Sequence, residues 1–188
     1  GRERYRREFR AFRAVLTDGG FLEDDRPTGL GRLAASLYGE SALLVAQGIE
    51  GAWFAGMEPS ELAATLVMLV AEDRGRERGA SRRRFPTPRV EGTYRTLRTA
   101  HHHLATLEEA HGLATLRPLS LDYVDAAYGW CEGVPLTELE PPPGADIGDV
   151  IKAIKNLYSV LRQLEPAVRE QGLKSLVSAT RGCVERDL

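Results

Sequence analysis

The feature that most constrains this chain is the helical spacing of its apolar residues, which recurs in nearly every segment. It is clearest after Asp146, where the apolar positions form one continuous stripe: Ile147, Val150, Ile151, Ile154, Leu157, Tyr158, Leu161 and Leu164. Side chains three and four residues apart lie on one face of an α-helix, whereas a β-strand brings every second side chain to one face. The sequence contains no alternating strand series and no internal repeat. It therefore predicts an all-α (mainly α) fold built as a helical bundle.

Turn residues divide the chain into successive helices. The predicted helices are one ending at Gly19, one that has resumed by Leu33 and ends near Gly39, one from about Ser41 to Gly56, one from Pro59, one from about Val90 to Ala110, one from Leu121 to Cys131, one from Asp146 and one from Leu173 to Arg186. Between the first two, an acidic turn separates Phe21 from Thr28. This stretch is predicted to form a short hairpin or wing.

The first predicted helix combines an aromatic row with a basic patch. Tyr5, Phe9, Phe12 and Leu16 recur at helical spacing, and residues 1–13 hold six arginines against two glutamates. Arg6, Arg10 and Arg13 form the secondary basic patch of the molecule. Such a patch suits a polyanion such as nucleic acid, yet a solvated helix face has the same composition. Charge alone leaves both interpretations open.

A second concentration of positive charge lies at residues 74–88, which have no apolar period and contain Gly75, Gly79 and two prolines. Residues 74–89 hold seven arginines and one glutamate, although the whole chain has a net charge of −2. A stretch of this composition adds nothing to a core. It predicts a mobile basic loop.

Motifs for catalysis are absent from the sequence. It has no phosphate-binding loop, no dinucleotide-binding glycine pattern and no nucleophile or zinc-protease signature, so no catalytic residue, metal or cofactor is predicted in this chain. Consecutive histidines 101–103 point about 100° apart on a helix and cannot converge on one ion. Cys131 and Cys183 are too few for a disulfide framework or a zinc site.

Location is also predicted from what the sequence lacks. No apolar run approaches the roughly 18 residues of a membrane span, and no secretory leader opens the chain. These observations predict no membrane partner and a cytoplasmic location.

One polar helix face stands out, opposite the apolar stripe that follows Asp146. It carries Lys152, Lys155, Asn156, Ser159, Arg162 and Gln163, without any acid, and two of the three lysines of the chain. A row of donors about one turn apart is how a helix would follow the phosphates and bases of a single strand. An ordinary solvated face is the equal alternative.

Several motifs, in order, resemble a known family. The segments are GFLED at 20–24, TGLGRLA at 28–34, GMEPSELAA at 56–64, LVAE at 69–72, YGWCEG at 128–133, GDVIK at 148–152, LRQ at 161–163 and RD at 186–187. The first two resemble the wing and following helix that close the winged-helix module of superkiller-type, or exosome-associated, superfamily 2 (DExH) helicases. The others resemble the helical C-terminal domain of those helicases, the DSHCT domain.

This resemblance implies residues 1–33 as the end of a winged-helix module and residues 34–188 as the helical domain. It also implies a non-catalytic accessory domain of a longer ATP-dependent helicase, in most members acting on RNA. Partners would be a single strand of RNA or DNA and the motor domains of the same polypeptide, which would use ATP and Mg²⁺. The helix at Gly148 is similar to the ratchet helix that lines the strand channel. The residues facing the strand would be Lys152, Lys155, Asn156, Ser159 and Arg162.

Two other functions stay open at this point. The chain could be a free-standing winged-helix-like regulator that binds duplex DNA through Arg6, Arg10 and Arg13, or a protein-interaction bundle without a nucleic-acid role. The resemblance favours the helicase domain, because only that hypothesis accounts for the long helical remainder.

Overall fold

The computed structural model describes residues 1–37, 39, 41–72 and 84–188, and the prediction of a mobile basic loop at 74–88 lies largely outside them. Its elements are α1 (Arg2–Asp18), β1 (Leu22–Glu23), β2 (Arg26–Pro27), α2 (Gly29–Ala35), α3 (Ala42–Glu50), α4 (Pro59–Val70), α5 (Pro88–Ala110), α6 (Val124–Cys131), α7 (Ile147–Ala167) and α8 (Gln171–Glu185), with a 3-10 turn at Leu136–Glu138. The prediction of a mainly α fold with one small hairpin is confirmed. Across these ranges, no helix is long and apolar enough to span a membrane.

The described residues divide into two compact units. The first contains residues 1–53 and 96–117, and the second contains residues 54–95 and 118–188. The predicted domain boundary at residue 33 was drawn from the resemblance to a winged-helix module, and it stays a prediction.

In the first unit, the hairpin is closed by a two-residue turn. Leu22 pairs with Pro27 and Glu23 with Arg26, while Asp24 and Asp25 both have positive φ, at 50° and 60°. Two consecutive left-handed residues match the twist of the flanking strands, and aspartate tolerates that conformation. The acidic turn therefore marks the tip of the wing.

Helix α2 has begun by Leu33, as predicted, but it is capped at Thr28. The Thr28 side chain accepts a hydrogen bond from the Gly31 amide at 3.1 Å, and its hydroxyl donates to the Gly20 carbonyl at 2.7 Å. This cap starts the helix at Gly29, a residue that the prediction assigned to the break before the helix. The predicted end near Gly39 was wrong, because α2 ends at Ala35.

The aromatic row of α1 is exposed. Tyr5, Phe9 and Phe12 are 72%, 59% and 42% exposed, and Val15 is the buried residue of the helix. Helical spacing correctly predicts α1 itself. It does not predict whether the aromatic row is buried. Helical spacing shows only which side chains share a face.

The second unit is built around α4, which is buried from Ser60 to Val70. Helices α6, α7 and α8 all contact it. A helix that is apolar on every side is expected at the centre of such a bundle. Its N-terminus is fixed by a capping box between Glu58 and Glu61, with Pro59 in the first turn.

Two other helix boundaries differ from the predictions. Helix α3 ends at Glu50 instead of continuing to Gly56, because residues 51–56 form turns in which Ala52 and Gly56 have positive φ. Helix α6 begins at Val124 rather than Leu121. Helix α7 begins one residue after the predicted Asp146, and α8 lies within two residues of its predicted bounds.

Candidate nucleic-acid interface

The first residues of α7 fix the direction of its polar face. Asp146 accepts a hydrogen bond from the Asp149 amide at 3.0 Å, and Asp149 accepts one from the Asp146 amide at 2.9 Å. This capping box starts the helix. The buried residues of α7 are Val150, Ala153, Ile154, Leu157, Leu161 and Leu164. Five of them belong to the predicted stripe, whose first residue, Ile147, is exposed instead. The opposite face is left to the polar residues.

Lys152 forms an ion pair at the N-terminal end of this face. Its Nζ lies 2.8 Å from Oε1 of Glu72, and both side chains are more than half exposed. Such exposed pairs contribute little to stability, about 0–1 kcal/mol. Lys152 and Asn156 also line a small cleft with Glu72, Tyr123 and Asp149. Carboxylates therefore partly neutralise this end of the predicted strand-binding row.

The middle of the face is more open. Lys155 and Ser159 are exposed, and Asn156 is half-buried. Ser159 is four positions from Lys155 and three from Asn156, so it lies beside both on one side of the helix. The polar residues of the predicted row therefore lie next to one another on the surface of α7.

Arg162 ends the row at a second cleft, which has a volume of about 420 Å³. Arg162 and Lys174 line this cleft together with Arg181, Glu165 and Pro166. Arg181 donates a hydrogen bond to Oε2 of Glu165 at 2.6 Å. Three cations thus face a single carboxylate, which leaves the cleft positively charged.

Arg181 is held in place on this cleft. Its guanidinium carbon lies 6.0 Å from the centre of the Tyr158 ring, and that of Arg162 lies 5.9 Å away. The hydrogen bond to Glu165 raises the pKa of Arg181, and a hydrogen bond with Tyr158 adds to the rise. The Nε of Arg181 is buried and has no hydrogen-bond partner among the described residues.

Lys174 and Arg181 were not predicted from the sequence as residues of this site. They lie on α8, seven residues apart, and therefore share one face of that helix. The spacing was visible, but only the contact between α7 and α8 brings that face beside Arg162. We call Lys155, Ser159, Arg162, Lys174 and Arg181 the α7–α8 basic surface.

The secondary basic patch lies on the other unit. Arg6 and Arg10 are exposed on α1, and Nε of Arg13 lies 3.7 Å from Oδ1 of Asp25. The exposed aromatic row runs one position away from these arginines along the same helix. The structure thus leaves this patch as a second basic surface.

The histidine cluster has structural contacts. Nε2 of His101 lies 2.6 Å from the carbonyl of Arg117, and Nε2 of His111 lies 2.8 Å from Oδ2 of Asp18. Glu108 is buried and accepts hydrogen bonds from the Thr115 amide, the Thr115 hydroxyl and the Leu116 amide. The histidines and Glu108 therefore organise the segment that follows α5.

The motif residues Trp130 and Arg186 form a structural clasp. Nε1 of Trp130 donates to the Val184 carbonyl at 2.9 Å, and the Arg186 guanidinium lies 3.7 Å from the centre of the indole. Arg186 also donates to the carbonyls of Trp130 and Val134. The clasp fixes the end of α6 against the end of α8.

The fold and this surface together define a helical domain with a basic face on adjoining helices. Residues 24–188 match the model of the DSHCT (NUC185) domain, and the chain belongs to that family.

Its relatives are much longer proteins. The chain is 30% identical over 183 residues to a probable helicase, HelY, of Mycobacterium leprae (strain TN), covering 89% of this chain and 20% of that protein. It is 29% identical over 199 aligned positions to the probable helicase HelY of Mycobacterium tuberculosis (strain ATCC 25618 / H37Rv), covering 96% of this chain and 21% of that protein. The chain therefore spans about a fifth of the length of the curated relatives it matches.

Proposed function

We propose that this chain is a non-catalytic accessory domain of an ATP-dependent helicase acting on RNA, and that α7 lines the path of the single strand. The relatives named as probable helicases support the helicase context. The observation that carries the strand-binding part is the α7–α8 basic surface, where the predicted donor row runs into a cleft with three cations and one carboxylate.

The dimensions of α7 suit this function. Lys152 and Arg162 are ten residues apart, so the row is about 15 Å long at 1.5 Å per residue. A surface of that length meets a few nucleotides. Lys155, Arg162, Lys174 and Arg181 would contact phosphates, while Asn156 and Ser159 would donate to or accept from bases or sugars.

The chemistry of the helicase would be supplied elsewhere in the longer polypeptide. ATP and Mg²⁺ are expected to drive its motor domains, and we assign no residue of this chain to either of them. The role left to this domain is to hold the strand by charge and hydrogen bonds. Its affinity as an isolated chain should be weak and strongly dependent on salt.

A matched pair of charge-removal variants tests the strand-binding surface. The triple variant Lys155→Ala, Arg162→Ala and Lys174→Ala should weaken binding of a single-stranded RNA about tenfold in low salt. It should also reduce the slope of log K against log salt by about 2, because each phosphate contact on a single strand contributes roughly 0.7. Fluorescence anisotropy at several salt concentrations measures both quantities.

The control is Arg6→Ala, Arg10→Ala and Arg13→Ala, which removes the same charge from the other unit. It should change affinity little. The α7–α8 substitutions are exposed and should alter stability by less than roughly 0.5 kcal/mol. Loss of affinity in the α1 variant with unchanged affinity in the α7–α8 variant would assign binding to α1. Equal affinity for DNA and RNA strands of one sequence would remove the RNA part of the proposal.

A second substitution should strengthen binding. Glu72→Gln removes the carboxylate that pairs with Lys152 at 2.8 Å, so the lysine becomes available to a phosphate. We expect about a twofold to threefold gain in strand affinity and a steeper salt dependence. Combining Glu72→Gln with Lys152→Ala should abolish the gain. A gain that persists in the double variant would show that Lys152 does not reach the strand.

A further inference from the structure

The two cysteines of the chain meet in the second unit, although 52 positions separate them in sequence. Cys131 is the last residue of α6, and Cys183 lies in the last turn of α8. Both line one cavity of about 250 Å³. Both side chains are half-buried. The cavity therefore gives a small reagent access to both cysteines at one place in the fold.

The neighbouring clasp fixes the backbones that carry these thiols. Trp130 and Val184, each adjacent in sequence to one of the cysteines, are joined by the hydrogen bond from the indole Nε1 at 2.9 Å. Arg186 holds the same two helix ends through the carbonyl of Trp130 at 2.9 Å. The thiols are therefore brought together by contacts that do not involve sulfur, and they remain neighbours in either oxidation state.

We propose that Cys131 and Cys183 form an oxidisable pair, which a hydroperoxide converts into a disulfide that ties α8 to α6. In the first step, one sulfur attacks a peroxide oxygen, the O–O bond breaks, and a sulfenic acid forms with release of water or an alcohol. In the second step, the other sulfur attacks the sulfenic sulfur, and the departing hydroxide leaves as water with the thiol proton. Two thiols lose two electrons and two protons in total, and the peroxide is reduced.

The surroundings slow the first attack. Burial raises the pKa of the Cys131 thiol, the neighbouring Cys183 and Glu132 raise it further, and Arg186 lowers it. Glu58 and Glu61 also line the cavity. Since the thiolate is the attacking species, oxidation of Cys131 by a hydroperoxide should be slow.

Oxidation of the purified chain with hydrogen peroxide tests the pair. We expect the intact mass to fall by two hydrogens and a peptide linking residues 131 and 183 to appear in a non-reducing digest. The thermal midpoint should rise by about 5 °C or more, because the cross-link closes a long loop. Peptide mapping separates this reaction from oxidation of Met57 and Met68, which adds oxygen.

Two single variants and an unfolded control test whether the folded structure pairs these two cysteines. Cys131→Ser and Cys183→Ser should each abolish the cross-link and leave a sulfenic acid on the remaining cysteine, which dimedone traps. The cross-link should also form faster in the folded chain than in denaturant, where the thiols are 52 residues apart. Faster cross-linking in denaturant, disulfides between chains, or added oxygen without a linked peptide would each overturn the proposal.

Discussion

Trp130→Ala is expected to destabilise the second unit by about 4 kcal/mol, the largest effect of any substitution considered for this chain. The indole is 4% exposed, donates a buried hydrogen bond to Val184 and is stacked by Arg186. Truncation leaves a cavity, an unpaired carbonyl and an arginine without its aromatic surface. Denaturant unfolding followed by far-UV circular dichroism measures the loss.

The control variants divide this effect into its parts. Trp130→Phe keeps an aromatic ring but removes the Nε1 donor, so most of the packing should survive and the cost should be about 1–2 kcal/mol. Arg186→Ala removes the stacked cation and its two carbonyl contacts, and should cost about 2 kcal/mol. If the phenylalanine variant were as unstable as the alanine variant, the hydrogen bond rather than burial would hold the clasp.

The clasp also shows what the sequence could predict and what it could not. Periodicity located α6 and α8 to within three residues, because the spacing of buried side chains depends only on local helix geometry. It could not pair Trp130 with Arg186, since that contact joins residues 56 positions apart and depends on how two helices pack.

The candidate site also combines features that the sequence predicts with contacts that it does not. The row from Lys152 to Arg162 follows from one helix and is found from spacing alone. The ion pair of Lys152 with Glu72 spans 80 positions, and the cleft shared by Arg162 and Lys174 requires the contact between α7 and α8. Charges contributed by distant segments decide which end of the row is neutralised, and no local pattern contains them.

On α1 the sequence predicts the helix but not the exposure of its aromatic row. Tyr5, Phe9 and Phe12 have the spacing of a buried stripe, yet they are exposed on the described structure. A periodic row predicts a helix equally well whether or not the row is covered, so exposure had to come from the tertiary structure. Capping was also invisible to periodicity, as the start of α2 at Gly29 shows.

Gly31→Ala is expected to destabilise the first unit by about 3 kcal/mol. A Cβ atom at this position would overlap the Phe21 carbonyl oxygen, so the backbone would have to move. Phe21 is 1% exposed, and its carbonyl accepts a hydrogen bond from the Thr28 amide at 3.0 Å. Movement would therefore disturb both the hairpin and a core side chain, which is the costly form of overpacking.

Gly29→Ala is the matched control, because it makes the same change two residues earlier in α2. The nearest atom to a Cβ there is a flexible Arg32 nitrogen at 3.8 Å, so the methyl group fits without displacement. Alanine restricts the unfolded chain more than glycine, and this variant should be neutral or more stable by up to about 1 kcal/mol. Denaturant unfolding followed by the emission of Trp53, which belongs to the same unit, compares the two variants. Equal stability of both would show that the hairpin can move away from α2 without cost, and that the close approach at Gly31 does not hold the wing in place.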